Sequence, residues 1–160
     1  MAMKMKTTGI EETMKMLEKV AANTDEVVAD VTRAGASVTA DEMRSELKSL
    51  KTSDKYEGGN GKRYPRAKDV KGLLDSLGYT PVGFNDSVAD SNVGFDGYNE
   101  NKTKKFPNGH PNRMIANSIN KGTSFMIAQP FINRTKRKAQ AKCIDTMQAM
   151  LDKEIKKITK

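Results

Sequence analysis

The chain has 160 residues, enough for about one domain, with 36% hydrophobic and 30% charged residues, 10 Met and no Trp. This excludes a large aromatic core and leaves a modest aliphatic interior in which methionines fill gaps. Its 28 Lys and Arg against 20 Asp and Glu give a net charge of +8, which favours a polyanion or an acidic protein surface as partner, and its single Cys excludes an intrachain disulfide or a Cys-rich zinc site.

The opening "MAMKMKTTGIEE" has charge but no apolar run of ~7 residues, and no segment approaches the ~18 needed to span a bilayer. A soluble, non-secreted chain assembled in the cytoplasm, with no membrane contact, is the expectation. Thr8 and Glu11 have capping-box spacing, and Ile10, Met14, Leu17 and Ala21 follow at helical steps, so a first amphipathic helix is predicted there. Asn23 and Glu26 repeat the capping spacing, and Val27, Val31, Ala34 and Val38 carry a second helix. Met43, Leu47 and Leu50 continue it, but the five-residue step from Val38 to Met43 predicts a bend or brief break around "TAD" at 39–41.

Residues 51–69 hold Gly58, Gly59, Gly61 and Pro65 with no apolar period and read as a mobile basic loop. A short helix over about 69–77 would bury Val70, Leu73, Leu74 and Leu77, with Gly78 as its left-handed C-terminal stop. Alternation of Val82 with Phe84, and of Val93 with Phe95, predicts two strands. The polar, turn-rich segment 97–113 suggests a long hairpin tip or flexible arm, with Lys102, Lys104 and Lys105 near its middle. From about Met114 to Ile119 apolar character resumes, as a strand or one short helix. After Pro130, the steps through Ile132, Thr135, Ala139 and Cys143, then Ile144, Met147, Leu151, Ile155 and Ile158, predict an amphipathic basic helix of ~25 residues. Pro130 suits a helix start because its missing N–H would lack an intrahelical partner, and Phe131 and Ile132 are expected to anchor the helix.

The chemistry-bearing residues are sparse. His110 is the single histidine, so no His-based metal cluster or His pair is available within one chain. Asp86, Asp90 and Asp96 have a spacing that would hold Mg²⁺ in a nuclease if a hairpin gathered them; turn capping and strand-edge solubility is the favoured reading. Cys143 falls on the buried side of the last helix, where a thiol is inert. "GGNGKRYPR" lacks phosphate-loop spacing and follows no strand. The clusters Lys62, Arg63 and Arg66, Lys102, Lys104 and Lys105, and Arg134 to Lys138, interleaved with Tyr56, Tyr64 and Phe106, allow sequence-independent contact with DNA, without any known base-reading motif. No catalytic residue, metal or cofactor is expected.

The stretch "IANSINKGTSFMIAQPFINRTKRKA" resembles the minor tail-component family of long-tailed phages, the gene-product-ten-like proteins of HK-type phages, which act in head–tail joining and tail completion. In that family a hydrophobic run with a tyrosine, alanine and glutamate leads to Gly-Thr, then a variable loop, then a Pro-Phe that opens the terminal helix. Ala116, Ile119, Gly122, Thr123, Gln129, Pro130 and Phe131 match; Ile115 stands where tyrosine is common and Asn120 where glutamate is common. "DVKGLLDSLGY" echoes the family's series ahead of its first strand, one residue short between Gly72 and Leu77.

The resemblance implies an α+β protein, long N- and C-terminal helices on a small antiparallel sheet with long loops, in one domain over 1–160. It implies a non-enzymatic virion protein that forms a ring in the neck between capsid connector and tail tube, beside stopper, terminator or tube proteins, with genomic DNA passing nearby. The expected interface residues are Ser124, Phe125, Met126, Ile127, Tyr56, Tyr64 and Phe106. Lys62, Arg63, Arg66, Lys102, Lys104 and Lys105 are expected to face DNA, and Gly122, Thr123, Pro130 and Phe131 to shape the motif. A sequence-independent DNA-binding accessory protein is the alternative.

Overall fold

A computed structural model of the chain describes residues 10–53, 61–85 and 88–158. The elements run α1 (Ile10–Ala22), α2 (Thr24–Lys48), α3 (Ala67–Ser76), β1 (Leu77–Tyr79), β2 (Gly83–Asn85), β3 (Val88–Asp90), β4 (Val93–Phe95), α4 (Asn112–Lys121) and α5 (Phe131–Ile158). The fold is α+β, with N- and C-terminal helices and two short antiparallel ladders.

Helices α2 and α5 form its axis and run antiparallel, as the pairing of Glu46 with Arg134 and Lys138, of Glu42 with Lys142, and of Gly35 with Cys143 requires. Their 25 and 28 residues correspond to about 37 and 42 Å of helix. α2 runs unbroken through 39–41, because its buried stripe continues there on the small residues Gly35, Ala36 and Ala40 and passes on to Met43 and Leu47. Thr39 donates its hydroxyl to the Gly35 carbonyl and stays inside the helix. Asn23 does not cap α2 either; its side-chain amide donates back to the Lys19 carbonyl at the end of α1. The Thr8 cap lies outside the described residues.

The core sits at one end of this axis. Met43 and Leu47 from α2 and Leu50 just past its end meet Val70, Leu73 and Leu77, Ala116 and Ile119 from α4, Met126, and the fully buried Phe131. Phe95 meets Phe131 edge to face at 6.2 Å between ring centroids. Thr135 and Ala139 extend the buried stripe of α5, whereas Ile132 is 37% exposed and does not anchor the helix.

α3 passes directly into β1. Leu77 is already extended (φ −73, ψ 121), and Gly78 pairs with Gly94 in the ladder instead of stopping the helix in a left-handed conformation. In β1–β4, Leu77 faces Phe95 and Tyr79 faces Val93; in β2–β3, Gly83 faces Asp90 and Asn85 faces Val88. Three residues, 80–82, stand against two, 91–92, so the ladders are offset by one residue, as in a bulge. Thr80 bridges the offset: its N–H donates to the Asn92 carbonyl, and its hydroxyl accepts from the Asn92 N–H, both at 2.9 Å. The expected two strands are therefore the two sides of one kinked hairpin.

The segment 97–111 is tied down along its length. Tyr98 bridges Pro111, the Asn99 N–H donates to the His110 carbonyl at 2.9 Å, and the Asn99 side-chain oxygen accepts from His110 and Asn101. Asn101 in turn donates to Asp69 of α3. The stretch from about Met114 to Ile119, expected as a strand or one short helix, lies within α4, which buries Ala116 and Ile119.

Candidate functional site

The motif between α4 and α5 is a docking turn. Gly122 adopts φ +75, and an added Cβ would meet Ala128 and the Met126 carbonyl at 3.0 Å. Thr123 and Met126 bond each other, and the Gln129 N–H returns to the Ile119 carbonyl at 2.8 Å. The Gln129 side chain clamps both the N–H and the carbonyl of Lys51. Pro130 supplies the carbonyl for the Arg134 N–H at the first turn of α5, and the Asn120 side-chain oxygen accepts from Ile132 N–H. Asn120, where the resembling family favours glutamate, thus caps the terminal helix from a distance.

The expected interface residues separate in this setting. Ser124 and Phe125 are exposed, the latter at 49%. Met126 is buried in the core and offers nothing to a neighbour, because its backbone bonds and side chain both face inward from the turn. Ile127 is half-buried; its N–H donates to the Arg63 carbonyl, while the Arg63 N–H donates to Phe125, joining 61–64 to this turn as a short parallel bridge. Tyr64 is half-buried. Phe106 is half-buried against the His110 ring, 4.5 Å between centroids. Tyr56 lies outside the described residues.

The basic clusters are also divided. Lys62, Lys102, Lys104 and Lys105 are exposed. Arg66 is occupied: its Nε donates at 2.9 Å to the buried carboxylate of Asp69, which holds the entry to α3. On α5 the face reading as a solvated basic stripe is partly spent inward. Arg134 Nε and Lys138 Nζ lie 2.6 and 2.5 Å from the buried Glu46 carboxylate, and Lys142 lies 2.7 Å from Glu42. The Arg134 hydrogen bond, then that of Lys138, holds the Glu46 carboxyl below its ordinary value, and Glu46 raises Lys138 in return. The signal was present in sequence: Glu42 and Glu46, and 134, 138 and 142, are both spaced by four.

Among the described residues no three His, Cys, Asp or Glu side chains gather as a metal site. Asp90 and Asp96 are exposed, Asp96 accepting from the Gly97 N–H, and Asp86 lies outside the described residues. Cys143 of α5 is half-buried against α2, its thiol 3.6 Å from the Gly35 carbonyl. No family model, curated protein or solved structure matches this chain.

What the chain does present is uncovered apolar surface away from the core. Met14 (55%) and Leu17 (63%) on α1, Phe84 and Val88 on the hairpin, and Ile144 and Ile155 on the distal half of α5 are all exposed. Between the distal halves of α2 and α5 lies an open groove of about 410 Å³ with Tyr79 and Met150 on its wall. Its charges are paired locally, Arg33 with Asp30 and Lys157 with Glu154. No helix among the described residues is long and apolar enough to cross a membrane.

Proposed function

We propose that this chain is a structural protein of a tailed-phage neck, a tail-completion or head–tail connector component whose copies assemble as a ring between capsid connector and tail tube. One observation carries the assembly part of this reading. Among the described residues the core is confined to one end, while α1, the distal part of α5 and the hairpin carry large apolar side chains that are left exposed. Such surfaces are finished by other protein chains. The phage assignment rests on the resemblance of the Gly-Thr to Pro-Phe motif, whose residues Gly122, Thr123, Pro130 and Phe131 each have a structural task in docking α5.

Light scattering after size-exclusion chromatography tests the proposal, alone and with connector, stopper, terminator and tube proteins. A closed oligomer, alone or on those partners, is expected. A chain that stays monomeric in every mixture and at high concentration overturns it.

The DNA-binding reading is favoured by the exposed Lys102, Lys104 and Lys105 on a loop fixed by Asn99 and His110. It requires affinity that falls steeply with salt and weakens alike for all sequences on charge reversal there.

A further inference from the structure

Charge is segregated along this chain. Residues 10–30 hold six carboxylates and two lysines, although the whole chain is +8. Residues 101–144 hold ten Lys and Arg and no carboxylate. The acidic segment is α1 and the start of α2: on α1 Met14 and Leu17 are exposed along with Lys15, Glu18 and Lys19, and Asp25 and Glu26 are exposed at the start of α2. The basic segment includes the turn and first coils of α5, where Phe125 and Ile132 are exposed among Lys62, Lys121, Lys136 and Arg137.

The arm joins α2 at its N-terminal end and the basic surface lies by its C-terminal end, and the helix between them spans about 37 Å. We infer that the acidic apolar arm of one copy docks on the basic apolar end of the next, the two being different surfaces joined head to tail. This rests on the proposed ring and names its contact. A head-to-tail contact is the kind that closes rings, whereas a two-fold contact ends at a dimer. The hairpin is a poorer seat for the arm, because Phe84 and Val88 are flanked by Asp90, of the same sign. Duplex DNA would match the cations but would leave Phe125, Ile132 and the acidic arm without a counterpart.

Two single-cysteine variants in the Cys143→Ser background, Leu17→Cys and Phe125→Cys, test the contact. Mixed and oxidised in the assembled state, they are expected to give a disulfide-linked dimer that neither gives alone. Glu18→Lys with Asp25→Lys should raise the concentration for half-assembly ~10-fold at low salt, and Lys62→Glu with Lys121→Glu in the same chain should restore it. An oligomer in which Leu17→Cys links only to itself, or forms no link to Phe125→Cys, overturns this contact and leaves the ring standing. A chain monomeric under all conditions overturns the ring. Assembly unchanged by the charge swap, with loss of duplex DNA binding on Lys62→Glu and Lys121→Glu, assigns the basic end to phosphates and overturns the contact too.

Discussion

Replacing Glu46 by Gln removes one charge from the core end of the α2–α5 contact while keeping the side chain's shape. The Glu46 carboxylate is 4% exposed and accepts from Arg134 and Lys138, whose side chains are 39% and 59% exposed. Breaking a fully buried pair costs about 3–5 kcal/mol. Here both cations recover much of their hydration, so the loss is nearer that of one charge-assisted hydrogen bond, about 2 kcal/mol. For a chain of this size that lowers Tm by about 4–8 °C, read by circular dichroism at pH 7. The pH dependence gives a second readout. Because the folded Glu46 carboxyl titrates below its ordinary 4.5, its stabilisation is complete above that value and is lost as pH falls through the depressed one. The Lys138 ammonium is raised above its ordinary 10.5, so its contribution is complete below that value and fades as pH rises through the raised one. Glu46→Gln should therefore flatten the stability profile below pH 4.5. A variant within ~0.5 kcal/mol of the parent at pH 7, with an unchanged acid limb, would refute this reasoning.

Phe131→Ala empties the centre of the core and should cost about 3–5 kcal/mol in urea unfolding; a loss under ~1 kcal/mol would show that Phe95 and the α4 residues hold α5 without it. Gly109→Ala puts a Cβ 1.8 Å from the Asn99 carbonyl oxygen at φ +99, so the 97–111 loop must rearrange. New protease cleavage near Lys102–Lys105 with a melting point close to the parent's is the expected result. Gly35→Leu forces a branched side chain where even a Cβ would lie 2.8 Å from Met147 Sδ, and should destabilise by ~2 kcal/mol or more by parting α2 from α5. Gly35→Ala should stay within ~1 kcal/mol, since helix propensity offsets a shift of the flexible Met147 thioether.

The periodicity of α3 was legible because its stripe holds Val and Leu, and the extent of α5 was legible too, but α5 buries Phe131, Thr135 and Ala139 while Ile132, Ile144 and Ile155 of its expected stripe are exposed. In α2 the decisive stripe is glycine and alanine, which carry little hydropathy, so the larger Val38 and Met43 suggested a break where Ala36, Ala40 and Met43 run unbroken. Gly78 follows a helix and precedes a strand; only the distant partner Gly94 decides between stop and ladder, and no local pattern contains it. The matched four-residue spacings of Glu42 and Glu46 and of Arg134, Lys138 and Lys142 were visible, but which face meets which was not, since Glu46 is 88 residues from Arg134. Polar content made 97–113 read as an arm, yet Asn99, Asn101 and Thr103 spend that polarity on hydrogen bonds within the segment and to α3. In the Gly-Thr to Pro-Phe motif, the turn and the helix start were legible from Gly122 and Pro130. The inward aim of Met126 was not, because it depends on the bridge to Arg63.

Segregated charge also bears on which assemblies form at all. A uniformly basic surface at +8 would repel its own copies in every orientation. With carboxylates concentrated in 10–30 and cations in 101–144, arm against arm and basic end against basic end are both like-charge encounters, while arm against basic end is attractive. Apolar side chains such as Leu17 and Phe125 cannot make that distinction, since each would pack against either exposed patch. The charges around them select orientation, and the apolar contacts then supply most of the affinity. On the proposed contact, that order of effects disfavours arm-to-arm and end-to-end pairing and leaves arm against basic end, which repeated head to tail closes a ring if the rotation between copies permits it.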